Sequence, residues 1–184
     1  MNYLISLGIH GFLAAACLLL AAGCASAPPI GSRPAPFPGA PPQAWASAPV
    51  PSLASVVPGL LQTATALLGA PYRFGGTTPQ SGFDCSGFVR YVFQQYRVDV
   101  PRTAAEQFRV GRDVDATHVA SGDLIFFSTT GPGATHVGIV VDPEAHTFVH
   151  APGTGAVVRI ERFDTPYWDS RTLGIRRVDI DDRY

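Results

Sequence analysis

The order in which periodicities occur along the chain predicts an α+β domain, with N-terminal helices packed on an antiparallel β-sheet. In the first half, Cys85, Phe88, Val89, Val92, Phe93 and Tyr96 recur at the spacing of a single helix face. From Asp123 onward the apolar segments shorten to "DLIFF", "HVGIVV", "HTFVHA", "VVRIERF" and "TLGIRRV", rich in β-branched and aromatic residues and separated by Gly, Pro and Asp. Helices followed by strands, rather than alternating with them, argue against a βαβ array. With 184 residues, 46% of them hydrophobic, the chain can bury one ordinary core.

The apolar run "FLAAACLLLAAGCAS" assigns residues 1–23 to an export signal, too short to span a membrane comfortably. Its "LAAGC" resembles a bacterial lipobox, which implies a signal of the lipoprotein type and lipid attachment at Cys24. Two features depart from that pattern: no Lys or Arg precedes the apolar run, and Ala21 stands where leucine is usual. Residues 24–52 read as a proline-rich spacer. Ten of the seventeen prolines fall between Pro28 and Pro58, a density that suits an extended polyproline chain and neither helix nor sheet. The folded domain is expected over residues 53–184. Leu60, Leu61, Thr65 and Leu68 form a helical stripe that stops at Gly69, with Pro71 beyond it. "PYRFGG" reads as a turn, and a second helix spans about Asp84 to Tyr96. In "PRTAAEQF", Thr103 with Glu106 three residues later has the form of a capping box opening a short third helix.

The net charge of −1 and the lack of a basic block argue against a nucleic-acid partner. With Cys17 removed in the signal and Cys24 acylated, Cys85 has no disulfide partner in its own chain. An odd cysteine in an exported chain reads as a free reactive thiol. With Asp84 as N-cap, Cys85 is the first residue of the second helix, where unpaired N–H groups and the positive end of the helix dipole are expected to lower a thiol pKa. A cysteine nucleophile needs a base, and the base needs an orienting group.

Of the five histidines, His10 leaves with the leader, His118 lies in a polar loop and His146 sits at a turn. His136 opens the strand "HVGIVV" and His150 closes "HTFVH". A three-residue loop over Asp142 to Glu144 would set His136 directly opposite His150, whereas a four-residue loop would send them to opposite faces. A cooperating pair requires one face, and that is the expectation. Cys85 is then the nucleophile, His136 the base and His150 the group that orients it, with helix N–H groups as oxyanion donors. A Cys/His/His zinc site would use the same residue types, but neither CxxC nor HExxH accompanies them. Phosphate-binding glycine loops are also missing. No metal and no cofactor are expected.

"ALLGAPYRFGGTTPQSGFDCSGFVRYVF", "VPRTAAEQF", "SGDLIFF", "THVGIVV" and "FVHAP", in that order from about Leu60 to Val178, resemble the NlpC-type cysteine peptidases of bacterial cell walls. The resemblance implies a papain-like fold and the same assignment of Cys85, His136 and His150. It places Tyr72 beside the nucleophile and gives Asp84 and Ser86 a part in binding the polar end of the substrate. It further implies hydrolysis of a peptidoglycan stem-peptide or cross-link amide, for example between D-γ-glutamate and meso-diaminopimelate. With Cys24 lipidated, the chain would be held at the periplasmic face of the outer membrane, and otherwise elsewhere in the cell envelope; the sequence does not reveal whether a partner protein regulates it. Two other functions use the same features: a non-catalytic wall-binding lipoprotein that keeps the fold, and an amidase or acyltransferase with the same thiol chemistry.

Overall fold

The structure is a computed structural model that describes residues 53–179, all within the compact unit Ala48–Tyr184. The expected signal, Cys24, the 24–52 spacer and residues 180–184 lie outside the described residues. Helix α1 (Leu53–Ala66) buries Leu60 and Ala64 completely. Its buried face is thus centred one residue before Thr65, and Leu68, expected in the stripe, is 45% exposed. The helix gives way after Ala66 to a turn closed at Gly69, whose φ of +87° suits a residue without Cβ. Pro58, counted by the sequence pattern with the extended spacer, lies inside α1. Pro58 stands beyond the first turn, so it forgoes the bond to the Ala54 carbonyl and crowds that group; the buried Leu60 and Ala64 anchor the turns that follow it.

A two-stranded hairpin, β1 (Thr77–Thr78) and β2 (Gly82–Phe83), leads directly into α2 (Cys85–Gln94). Phe88, Val89, Val92 and Phe93 of α2 are fully buried, as the helical spacing predicts. The helix ends just short of Tyr96, whose hydroxyl lies 2.8 Å from Thr63 Oγ1 and ties α2 to α1. Helix α3 (Ala104–Gln107) carries the expected capping box between Thr103 and Glu106.

Six strands form one antiparallel sheet: β3 (Arg112–Val114), β4 (Leu124–Phe127), β5 (His136–Asp142), β6 (Thr147–His150), β7 (Arg159–Arg162) and β8 (Thr172–Arg177). They lie in the order β3-β8-β4-β5-β6-β7. Strand β3, short and mostly exposed, had no clear sequence signal. A short helix, α4 (Pro166–Asp169), opens at Thr165 with Pro166 in its first turn and precedes β8.

Alternation along the strands divides the core into two layers. Leu124, Phe126, Val137, Ile139 and Val149 pack with α1 and α2. Ile125, Phe127, Val140, Phe148 and Ile175 pack on the other face around Trp168 of α4. Among the described residues no helix is long and apolar enough to cross a membrane.

Candidate active site

The β5–β6 hairpin brings two histidines together by a route the turn signal did not give. Asp142 pairs with Thr147, leaving a four-residue loop, and Val141 is an extra residue bulged out of β5. The longer loop alone would have put the histidines on opposite faces; the bulge restores the parity. His136 is therefore not directly opposite His150, as the three-residue loop would have had it, but diagonal to it on the same face. Their rings meet edge to face, with His136 Nε2 2.8 Å from His150 Nδ1. Gly138 makes room for this: a Cβ there would lie 2.5 Å from Phe148 Cδ2 and 3.1 Å from His150 Cβ. Trp168 stacks on His136 at a centroid distance of 5.5 Å and meets His150 edge-on. Both histidines are buried, at 4% and 0% exposure. Burial pushes His136 down to about 4 and is the main cause that takes His150 to about 2, with the His136 and Arg159 charges adding to it. Both rings are neutral near pH 7, the form a general base needs.

Cys85 begins α2, and its partly exposed thiol is free of disulfides. The backbone N–H groups of Val137, Ser86 and Cys85 itself face the sulfur and favour its anion. Val137 follows His136, so the thiol reaches β5 at its first peptide. Side-chain alternation sends Val137 to the α2 layer, where Cys85 packs, and His136 to the Trp168 layer, so the two meet the sheet from either side of the first residues of β5. None of the hydrogen bonds among the described residues joins the sulfur to the ring; Nδ1 is the His136 nitrogen left for it once Nε2 faces His150.

The N–H groups of the helix N-terminus pull the thiol pKa down, as the sequence suggested, but the net shift is upward. Burial raises it, the Asp84 charge raises it further, and the three N–H contacts pull the other way without prevailing. At rest the thiol is protonated and the imidazole neutral, rather than the two forming an ion pair.

Asp84 caps α2 through Gly87 N–H at 2.7 Å and also accepts from Gly75 N–H. Arg102 grips both of its oxygens at 3.0 and 2.6 Å and donates to Ser86 Oγ at 3.0 Å. Asp84 and Ser86, expected to meet substrate, are both buried in this network. A ligand would therefore meet a paired carboxylate rather than a free one. Tyr72 is the more exposed of the three; burial is the first cause raising its hydroxyl pKa, and the charges of Cys85 and Asp84 add to it. Arg102 lies in "VPRTAAEQF", where nothing local reveals a partner eighteen residues away. Trp168 likewise reaches the site only through the tertiary fold.

His146 adopts φ +54° in the hairpin loop, half exposed against Phe163 and remote from the histidine pair, and His118 is exposed in a 3-10 turn. Among the described residues no three His, Cys, Asp or Glu side chains are grouped as a metal site requires.

A helix-borne thiol meeting a histidine-bearing strand of an antiparallel sheet defines a papain-like α+β domain. The NlpC/P60 family pattern matches residues 69–177, and the chain belongs to that family. It is 42% identical over 122 residues to the gamma-DL-glutamyl hydrolase of Bacillus subtilis (strain 168), covering 65% of this chain and 29% of that protein. It is 39% identical over 115 residues to murein DD-endopeptidase MepH of Escherichia coli (strain K12), covering 60% of this chain and 42% of the relative. The chain thus spans less than half the length of either. A solved structure from Staphylococcus aureus subsp. aureus Mu50, an NLP/P60 family protein called similar to lipoprotein, superposes with a TM-score of 0.63 at 30% identity, covering 73% of this chain and 45% of that one.

Proposed function

We propose that this protein is a peptidoglycan endopeptidase that cleaves a stem-peptide or cross-link amide through Cys85. The observation that carries the reading is the packing of α2, which Cys85 opens, against β5, which His136 opens, with the His136–His150 pair buried at the same end of that strand. The Cys85 sulfur attacks the scissile carbonyl carbon while His136 Nδ1 takes the thiol proton. The carbonyl oxygen becomes an oxyanion, held by N–H groups of the α2 N-terminus, among them that of Cys85. Collapse breaks the C–N bond, and the leaving amine takes the proton from His136. Water, deprotonated by the same ring, then hydrolyses the thioester and returns the thiol. His150 accepts the His136 Nε2–H throughout and stabilises the imidazolium that forms. Tyr72, Asp84 and Ser86 border the nucleophile and are assigned to the substrate's polar end, with Arg102 holding the latter two in place.

The names of the relatives point to two different bonds, a γ-glutamyl linkage and a DD cross-link. Export with a lipid on Cys24, residues 24–52 as spacer and residence at the outer membrane complete the proposal, on the strength of the lipobox-like "LAAGC". Purified protein incubated with muropeptides, beside its Cys85→Ala and His136→Ala forms, tests the chemistry, and product masses identify the bond. Cleavage by the wild type alone is expected; cleavage by Cys85→Ala would overturn the thiol mechanism. Labelled palmitate retained by wild-type protein in cells and lost in Cys24→Ala tests the anchor.

A further inference from the structure

The histidine pair leaves one polar atom unexplained. For His136 to present a lone pair at Nδ1, its proton must sit on Nε2 and be donated to His150 Nδ1, 2.8 Å away. His150 Nδ1 must then be bare, which puts the His150 proton on Nε2. That Nε2 is buried and makes no hydrogen bond. The group facing it is Glu161 Oε2, at 3.5 Å, longer than a good hydrogen bond and within ion-pair range.

The carboxylate is held in that position. Strand β7 pairs Phe148 with Glu161 and His150 with Arg159, so Glu161 is diagonal to His150 on the same face, as His150 is to His136. Trp168 Nε1–H donates to Glu161 Oε2 at 2.7 Å, and Arg159 Nε donates to Oε1 at 2.6 Å. The indole that fixes Oε2 is the one stacked on His136. Glu161 Oε2 is thus the acceptor at the end of a line running from His136 through His150.

We propose that Glu161 is a positioning residue of the site: it holds His150 as the Nε2–H tautomer and so keeps the lone pair of His136 Nδ1 aimed at Cys85. The inference rests on reading Cys85 and His136 as nucleophile and base. Its test is divided so that failure of one reading does not hide in failure of the other.

Long-range nitrogen-15 spectra of the histidines, taken on the full chain carrying Cys85→Ala, report tautomers without turnover. Both His136 and His150 are expected as Nε2–H. Glu161→Gln, which keeps an acceptor oxygen, is expected to preserve those signals, whereas Glu161→Leu mixes the His150 tautomers. In chains that retain Cys85, Glu161→Leu is expected to lower kcat roughly 10- to 100-fold, the range seen when a metal-bound histidine loses its outer partner, with KM within about twofold and Glu161→Gln losing less. If Glu161→Leu does not fold, the wild-type and Glu161→Gln spectra still decide. His150 found as Nδ1–H in the wild-type ring pair would overturn the proposal, as would unchanged tautomers and kcat in Glu161→Leu, or an effect on KM alone. Expected tautomers in a chain that cleaves no muropeptide would leave the assignment standing and sink the peptidase reading.

Discussion

At the scale of single residues, the site is governed by which groups are charged at rest. His136 is neutral above about pH 4 because it is buried. The Cys85 thiol is raised by burial first and by Asp84 second. A thiol in this state is alkylated by iodoacetamide with a pH midpoint above that of free cysteine, about 8.5. A midpoint below that value would restore the thiolate expected from the helix terminus. Arg102 sharpens the test. It neutralises Asp84 with two charge-assisted hydrogen bonds, so Arg102→Met leaves an uncompensated carboxylate next to the sulfur. The alkylation midpoint should then move further up, and stability to urea should fall by about 2 kcal/mol or more. An unchanged midpoint would mean that the Asp84 charge does not reach the thiol.

At the scale of elements, the histidines depend on one bulge and one glycine. Replacing Gly138 by Ala puts a methyl 2.5 Å from Phe148, 2.9 Å from Val149 O and 3.1 Å from His150 Cβ. Overpacking of this kind costs about 1–3 kcal/mol, and displacing His150 should lower kcat on the order of 100-fold while KM changes little. Steady-state kinetics on a defined muropeptide check this; wild-type kcat would show that the pair tolerates a shifted β6. The capping box of α3 is a local counterpart. Thr103→Ala should cost about 1 kcal/mol in chemical denaturation with kcat unaltered.

These cases also mark where the sequence is legible. The α2 stripe, its Asp84 cap and the α3 capping box could be read directly, since each signal lies within four residues. The five main strands followed from their β-branched and aromatic content. Register was less accessible, because the bulge at Val141 has no local signature and one residue reverses every face. Arg102, Trp168 and Glu161 were out of reach for a related reason: each acts across a sequence gap that only the assembled sheet closes.

For the molecule as a whole, two buried neutral imidazoles make the fold sensitive to acid. An unfolded His136 takes a proton near its ordinary pKa of about 6.5, while the folded one resists protonation until about 4. Between those values the unfolded chain binds more protons, so stability falls as pH drops through this window and this contribution levels off below it. The His136 part is on the order of 3 kcal/mol, a large fraction of the 5–15 kcal/mol typical of a domain. His150, taken down to about 2, extends the loss to lower pH. The site that confers chemistry thus draws on the stability of the whole domain, and chemical denaturation between pH 7 and pH 4 measures how much. The midpoint should drop steadily on acidification, and His136→Phe, which packs a ring but cannot take a proton, should flatten that slope while abolishing turnover. A wild-type midpoint independent of pH over this range would mean that the imidazoles protonate as readily in the folded protein as in the unfolded one, and with that the case for a buried, neutral base would fail.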